Sequence, residues 1–114
     1  MRKLVAALSL AMLTTLAPTA VSAPVFPVTM EVEYGLGDGA RYEMEVTMEG
    51  DATFGDSDGD GGIWFYRRAT DALLLRYEGD AAGFDLYGVR DGRCFSGSVL
   101  LDEVEIDRWS GCGI

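Results

Sequence analysis

Between Val28 and Glu49 apolar and polar residues alternate almost one for one. Val28, Met30, Val32 and Tyr34 share one parity, and Thr29, Glu31 and Glu33 share the other. After Gly35-Leu36-Gly37-Asp38-Gly39 the run Arg41 to Glu49 repeats the pattern. There Tyr42, Met44, Val46 and Met48 alternate with Glu43, Glu45, Thr47 and Glu49. Successive side chains of a strand point to opposite faces, so this period predicts two half-buried strands joined by a turn, glutamates outward.

The rest of the chain keeps the habit in shorter pieces. Runs at Ala52 to Gly55, Ile63 to Arg68, Leu73 to Glu78, Ala82 to Val89, Cys94 to Leu101 and Val104 to Trp109 are separated by Gly- and Asp-rich punctuation. Gly50-Asp51, Gly79-Asp80 and Asp91-Gly92 read as turns. No segment has a helical period. Short connections force neighbouring strands to pair antiparallel. Eight of them make an up-and-down meander, and closing it into a barrel removes its edges. The expected class is all-β, a small eight-stranded antiparallel barrel, closed or nearly so. An open sheet or a sandwich is the alternative. Strands of about six to nine residues with a carboxylate-rich outer face do not suit an outer-membrane barrel, which needs ~9–11 residues and an apolar band.

The start of the chain is an address. Arg2 and Lys3 precede a nearly unbroken apolar run, Leu4 to Leu16, and small residues crowd Ala17 to Ala23. This is the layout of a secretory signal peptide, too short for a membrane span. Cleavage after Ser22 is preferred over cleavage after Ala23, because Pro24 would then follow the cut. The expected organisation is a signal peptide at 1–22, a flexible segment at 23–27 and one barrel domain at 28–114, in a secreted or periplasmic protein. Removing the leader takes Arg2 and the only lysine, Lys3. The net charge moves from −10 to −12, with seven arginines facing nineteen carboxylates. Such a balance argues against nucleic-acid binding. With no histidine there is no Ser-His or Cys-His nucleophile pair and no histidine-ligated metal.

Cys94 and Cys112 are the only cysteines. An exported chain normally pairs two such residues. If the last two strands form a hairpin centred on Glu103, Cys94 lies opposite Cys112, within disulfide reach, and Gly97 faces Trp109. Facing Val99 and Leu101 against Val104 and Ile106 needs a register one residue different. A bulge near Gly97 or Gly111 would satisfy both.

The segment Asp56-Ser57-Asp58-Gly59-Asp60-Gly61-Gly62-Ile63 reads as the first two-thirds of a calcium loop. Asp56, Asp58 and Asp60 would supply side-chain oxygens and Gly62 a carbonyl. The twelfth position is Arg67 instead of the bidentate glutamate, which favours reading the segment as a solvated hairpin loop. Calcium is the one cofactor the sequence suggests.

Two further features are candidates for binding. Aligning Tyr34 with Tyr42 sets Glu33 against Glu43 and Glu31 against Glu45. Such a patch is crossed by an arginine, binds cations or a basic partner, or is a solvated face of a strongly acidic protein. Trp64, Phe65, Tyr66, Tyr77, Phe84, Tyr87 and Phe95 crowd the later strands. Trp64, Tyr66, Tyr77, Phe84, Tyr87 and Phe95 are candidate walls of a ligand cavity, or simple core packing.

The pattern Gly62-Ile63-Trp64-x-Tyr66, Leu73-x-Leu75-x-Tyr77, Tyr87-Gly88, Cys94-Phe95-x-Gly97 and Trp109-Ser110-Gly111-Cys112 resembles small secreted bacterial lipocalin-like or avidin-like meanders over roughly the last fifty residues. The Gly-x-Trp that opens a lipocalin barrel is absent from the first strand. The resemblance implies a meander fold and binding in place of catalysis, and assigns no binding residue. The expected function is a non-enzymatic binding domain for a small apolar ligand or a protein partner. A calcium-binding adhesion module is one alternative. A protease-inhibitor-like barrel, with Ala23 to Pro27 as an inserting arm, is another.

Overall fold

The computed structural model describes residues 28–114; the signal peptide and the flexible segment expected at 1–22 and 23–27 lie outside them. Eight strands follow in order: β1 (Thr29–Gly35), β2 (Arg41–Met48), β3 (Thr53–Asp56), β4 (Gly61–Arg67), β5 (Ala72–Glu78), β6 (Phe84–Asp91), β7 (Cys94–Leu101) and β8 (Val104–Gly113). Each pairs antiparallel with the next, and β8 returns to β1, so the sheet closes into a barrel.

Closure explains where the strands outrun their sequence signals. The alternation in β8 fades after Trp109, yet the strand continues to Gly113 because β1 pairs with it from Tyr34 opposite Trp109 to Met30 opposite Gly113. β4 starts at Gly61, two residues before its apolar run, because the loop ahead of it is drawn into a tight hairpin. β6 starts at Phe84 because Gly79–Ala81 form a single 3-10 turn and Gly83 has a positive φ of 101°.

The inward parity is the one the alternation predicts. Met30, Val32, Met44, Val46, Met48, Phe54, Leu73, Leu75, Phe95, Val99 and Trp109 are buried inside. Each large apolar side chain removed from water contributes ~1.5–3 kcal/mol. Val28 lies ahead of β1 and is exposed. Trp109 fits only because its neighbours have no side chains. It pairs with Gly97, and its indole N–H donates to the Tyr87 carbonyl at 3.0 Å. A Cβ added to Gly88 would lie 2.8 Å from the indole Cζ2, and one on Gly97 would lie 1.9 Å from the Tyr87 oxygen.

The last hairpin holds both registers the sequence asks for, but its irregularity is elsewhere. Cys94 is opposite Cys112 and Val99 opposite Asp107, whereas Leu100 is opposite Glu105, which leaves Ile106 as the extra residue. The bulge is therefore at Val99/Leu100, not near Gly97 or Gly111. The reason is the turn: Asp102 and Glu103 both have positive φ (50° and 70°) and form a two-residue connection that locks Leu101 opposite Val104. The Cys94–Cys112 disulfide forms across the ladder with a Cα–Cα distance of 4.0 Å.

The two ends of the barrel differ. One carries the β2–β3, β4–β5 and β6–β7 turns and is crossed by side-chain hydrogen bonds. Tyr66 donates to Asp71 Oδ1 at 2.7 Å, Arg90 Nη1 reaches the Tyr66 hydroxyl at 3.5 Å, and Trp64 Nε1 donates to the Glu49 carbonyl at 2.9 Å. The other end carries the Asp-rich hairpin.

Candidate functional site

The β3–β4 hairpin is built around the Asp56 carboxylate. Its Oδ1 accepts the backbone N–H groups of Asp58 at 2.9 Å and Asp60 at 3.0 Å. The Asp56 N–H donates to the Asp60 carbonyl at 2.8 Å, and Gly59 N–H donates to the Asp56 carbonyl at 3.1 Å. Aspartate favours such local capture of the following backbone. Asp56 Oδ2 accepts the Tyr77 hydroxyl from β5 at 2.7 Å. Burial, and then this carboxylate, push the Tyr77 phenol far above its ordinary range.

Both Asp56 oxygens are thus occupied by protein donors. Gly62 lies within β4, so close to β5 that a Cβ there would sit 1.9 Å from the Arg76 carbonyl oxygen. Among the described residues, no group of three or more Asp, Glu or Cys side chains is arranged to hold a metal ion. Asp58 and Asp60 are free of such duties; their carboxylates accept no hydrogen bond and no ion pair from the described residues.

Beside this hairpin the barrel end opens into a cavity of ≈ 180 Å³. Leu36, Met44, Ala81, Phe84, Leu86 and Val99 form its apolar wall. Tyr34, Tyr77 and the three aspartates complete the lining, with no arginine among them. Burial, and next the charges of Asp58, Asp56 and Asp60, raise the Tyr34 phenol above its ordinary range. Tyr77 is fixed from a second side by an edge-on contact with Phe54, ring centroids 5.0 Å apart. The phenols therefore stay neutral hydroxyls, and the cavity lies in the negative potential of its rim.

Two features that are separate in sequence, the aspartate loop and part of the aromatic cluster, meet at this cavity. Of the candidate cavity aromatics, Tyr77 and Phe84 line it. Trp64, Tyr66 and Phe95 do not line it: Phe95 is in the core, Trp64 and Tyr66 pack against the core, and the Tyr66 ring meets Phe95 edge-on. Tyr87 does not line a cavity: it is on the outward parity of β6, 45% exposed, in a row with Leu74 and the exposed Phe65. The sequence list lacks Tyr34, Leu36, Met44, Ala81, Leu86 and Val99. In an up-and-down meander every second connection falls at the same end, which collects Leu36, Asp58 and Ala81 there.

The acidic patch forms as its alignment predicts. Glu31 is opposite Glu45 and Glu33 opposite Glu43, all exposed on the outer surface. With Ser110 and Cys112 of β8 they border an open groove. One arginine crosses it: Arg41 lies 3.9 Å from Glu33 and 3.2 Å from Asp107. Comparison of the chain with protein-family models, with curated proteins and with solved structures gives no match.

Proposed function

We propose that this chain is an exported, non-enzymatic binding barrel that takes a small, largely apolar ligand into the cavity at its open end. The observation that carries this reading is the recess at the end that bears the Asp-rich hairpin, walled by six apolar side chains with Tyr34 and Tyr77 among them, whereas Trp64, Tyr66 and Arg90 hydrogen-bond among the turns of the other end. Apolar walls with a few convergent polar groups are the usual make-up of a small-molecule site. The recess is smaller than the ~300–1,000 Å³ of drug-sized pockets, so its ligand is correspondingly small. A leader-like start and a paired Cys94–Cys112 support export to an oxidising compartment.

The test is a panel of small aromatic and aliphatic compounds titrated into the ¹⁵N-labelled, disulfide-bonded domain. Expected are saturable shifts confined to residues near Tyr34, Ala81, Phe84 and the Asp56–Asp60 hairpin. Ala81→Phe, which fills the recess at its rim, abolishes them. No saturable shift from any compound, or shifts that survive Ala81→Phe, would overturn the reading.

A further inference from the structure

The geometry points to a ligand class: the open-end cavity takes a small organic cation, an ammonium group carried on a compact apolar body. This inference rests on the cavity's being the binding site. Its shape sets the body. A volume of ≈ 180 Å³ corresponds to about six waters at ~30 Å³ each, the bulk of a single aromatic ring with a short chain. The apolar wall of Leu36, Met44, Phe84, Leu86 and Val99 offers that body nothing to hydrogen-bond.

The rim sets the charge. Three carboxylates border the cavity and no arginine joins them. Asp56 is fully engaged with Asp58 N–H, Asp60 N–H and the Tyr77 hydroxyl, which holds the hairpin in place without help from a ligand. Asp58 is exposed and Asp60 half-buried, neither is paired with an arginine of the described residues, and a cation entering the recess would meet both charges in exchange for their water. Among the described residues four carboxylates lie within ion-pair reach of an arginine, Glu33, Asp85, Glu105 and Asp107, and none of them is on this rim. An anionic ligand would meet repulsion here, and a neutral one would gain nothing from a rim that stays hydrated. A cation with an apolar body satisfies wall and rim together.

The experiment compares 2-phenylethylammonium with its neutral isostere 2-phenylethanol by calorimetry and ¹H–¹⁵N shifts on the disulfide-bonded domain. The amine is expected to bind up to about five-fold tighter, as befits a partly exposed ion pair. That margin shrinks between low and high salt. In the Asp58→Asn/Asp60→Asn double variant, the hairpin survives on Asp56, the alcohol binds as before and the amine loses its advantage. Equal affinity for amine and alcohol in the unsubstituted protein overturns the cation inference and leaves the cavity reading standing. Absence of binding by both overturns the two together. An amine preference that persists in the double variant overturns the assignment to these carboxylates. Nα-acetyl-lysine methylamide separates the sources of an ammonium. Binding weaker than the free amine's supports a free small molecule, and tighter binding overturns that in favour of a partner's lysine side chain.

Discussion

The Tyr77 hydroxyl donates to Oδ2 of Asp56 at 2.7 Å, from the inner wall of the barrel to the hairpin at its open end. This bond joins core and rim. Tyr77 is buried, and without Asp56 its hydroxyl keeps only a 3.5 Å approach to the Met44 sulfur. Tyr77→Phe is expected to cost about 1.5–3 kcal/mol, the range for a hydrogen bond to a charged group. Asp56→Ala costs more, because the Asp58 and Asp60 N–H groups also lose their acceptor. Urea unfolding of the two single variants and the double variant measures the coupling, and strict additivity would refute the link.

The same engagement bears on calcium. Asp56 gives its oxygens to Asp58 N–H, Asp60 N–H and the Tyr77 hydroxyl, and Arg67 stands where a calcium loop has its bidentate glutamate, so an ion would have to displace these donors. Millimolar calcium is expected to leave the melting temperature unchanged relative to a chelator control. A rise that saturates with calcium would show that the hairpin rearranges around an ion.

Cys94 and Cys112 close a loop of sequence separation 18 between neighbouring strands. On the chain-entropy model the crosslink contributes ~3 kcal/mol. The Cys94→Ser/Cys112→Ser variant is therefore expected to melt roughly 10–20 °C lower by calorimetry, given the steep dependence of melting temperature on stability in a domain of about 90 residues.

Glu103 sits at φ 70° in the β7–β8 turn. A left-handed backbone costs a residue with a side chain ~1–2 kcal/mol, part of which glycine returns as unfolded-state entropy. Glu103→Gly is expected to stabilise the domain by up to ~1 kcal/mol, read as a shifted urea midpoint at unchanged slope. Destabilisation would mean that Glu103 makes a contact the turn needs.

Stability depends on pH from both sides. The Tyr42 hydroxyl and the Ala40 N–H hold the Asp38 carboxyl below the usual range. The Thr53 hydroxyl and its N–H do the same for Asp51, and the N–H groups of Arg108 and Gly37 for Asp107. A carboxylate lowered in the fold stabilises above its unfolded pKa, about 4, and loses that contribution as pH falls through its folded value. The phenols of Tyr34, Tyr42 and Tyr77 are raised, so their contribution is complete below about pH 10 and is lost as pH rises further. A stability profile flat between these limits and falling outside both is expected. For Tyr77, ultraviolet titration should show ionisation only together with unfolding.

Legibility differed from element to element for physical reasons. Period-two alternation is a local consequence of strand pleat, so Met30 to Tyr34 and Tyr42 to Met48 declare their inward face in the sequence. The glutamate pairs of β1 and β2 and the Cys94–Cys112 ladder position follow from counting along a hairpin. The Val99/Leu100 bulge did not follow, because it depends on the φ of Asp102 and Glu103, residues not marked as left-handed by composition.

What the sequence by itself determined, then, is the local order: strands, turns, the inward parity and the disulfide pair. Tertiary structure alone decided the rest. Closure of β8 onto β1 made a barrel of the meander and gathered Tyr34, Tyr77, Phe84 and the three aspartates around one recess at its end. It also brought Tyr77 to Asp56 across 21 residues of chain, converting a loop that reads as a cation motif into the wall of a cavity. Such contacts between side chains distant in sequence arise from how a closed sheet packs, and no local period encodes them.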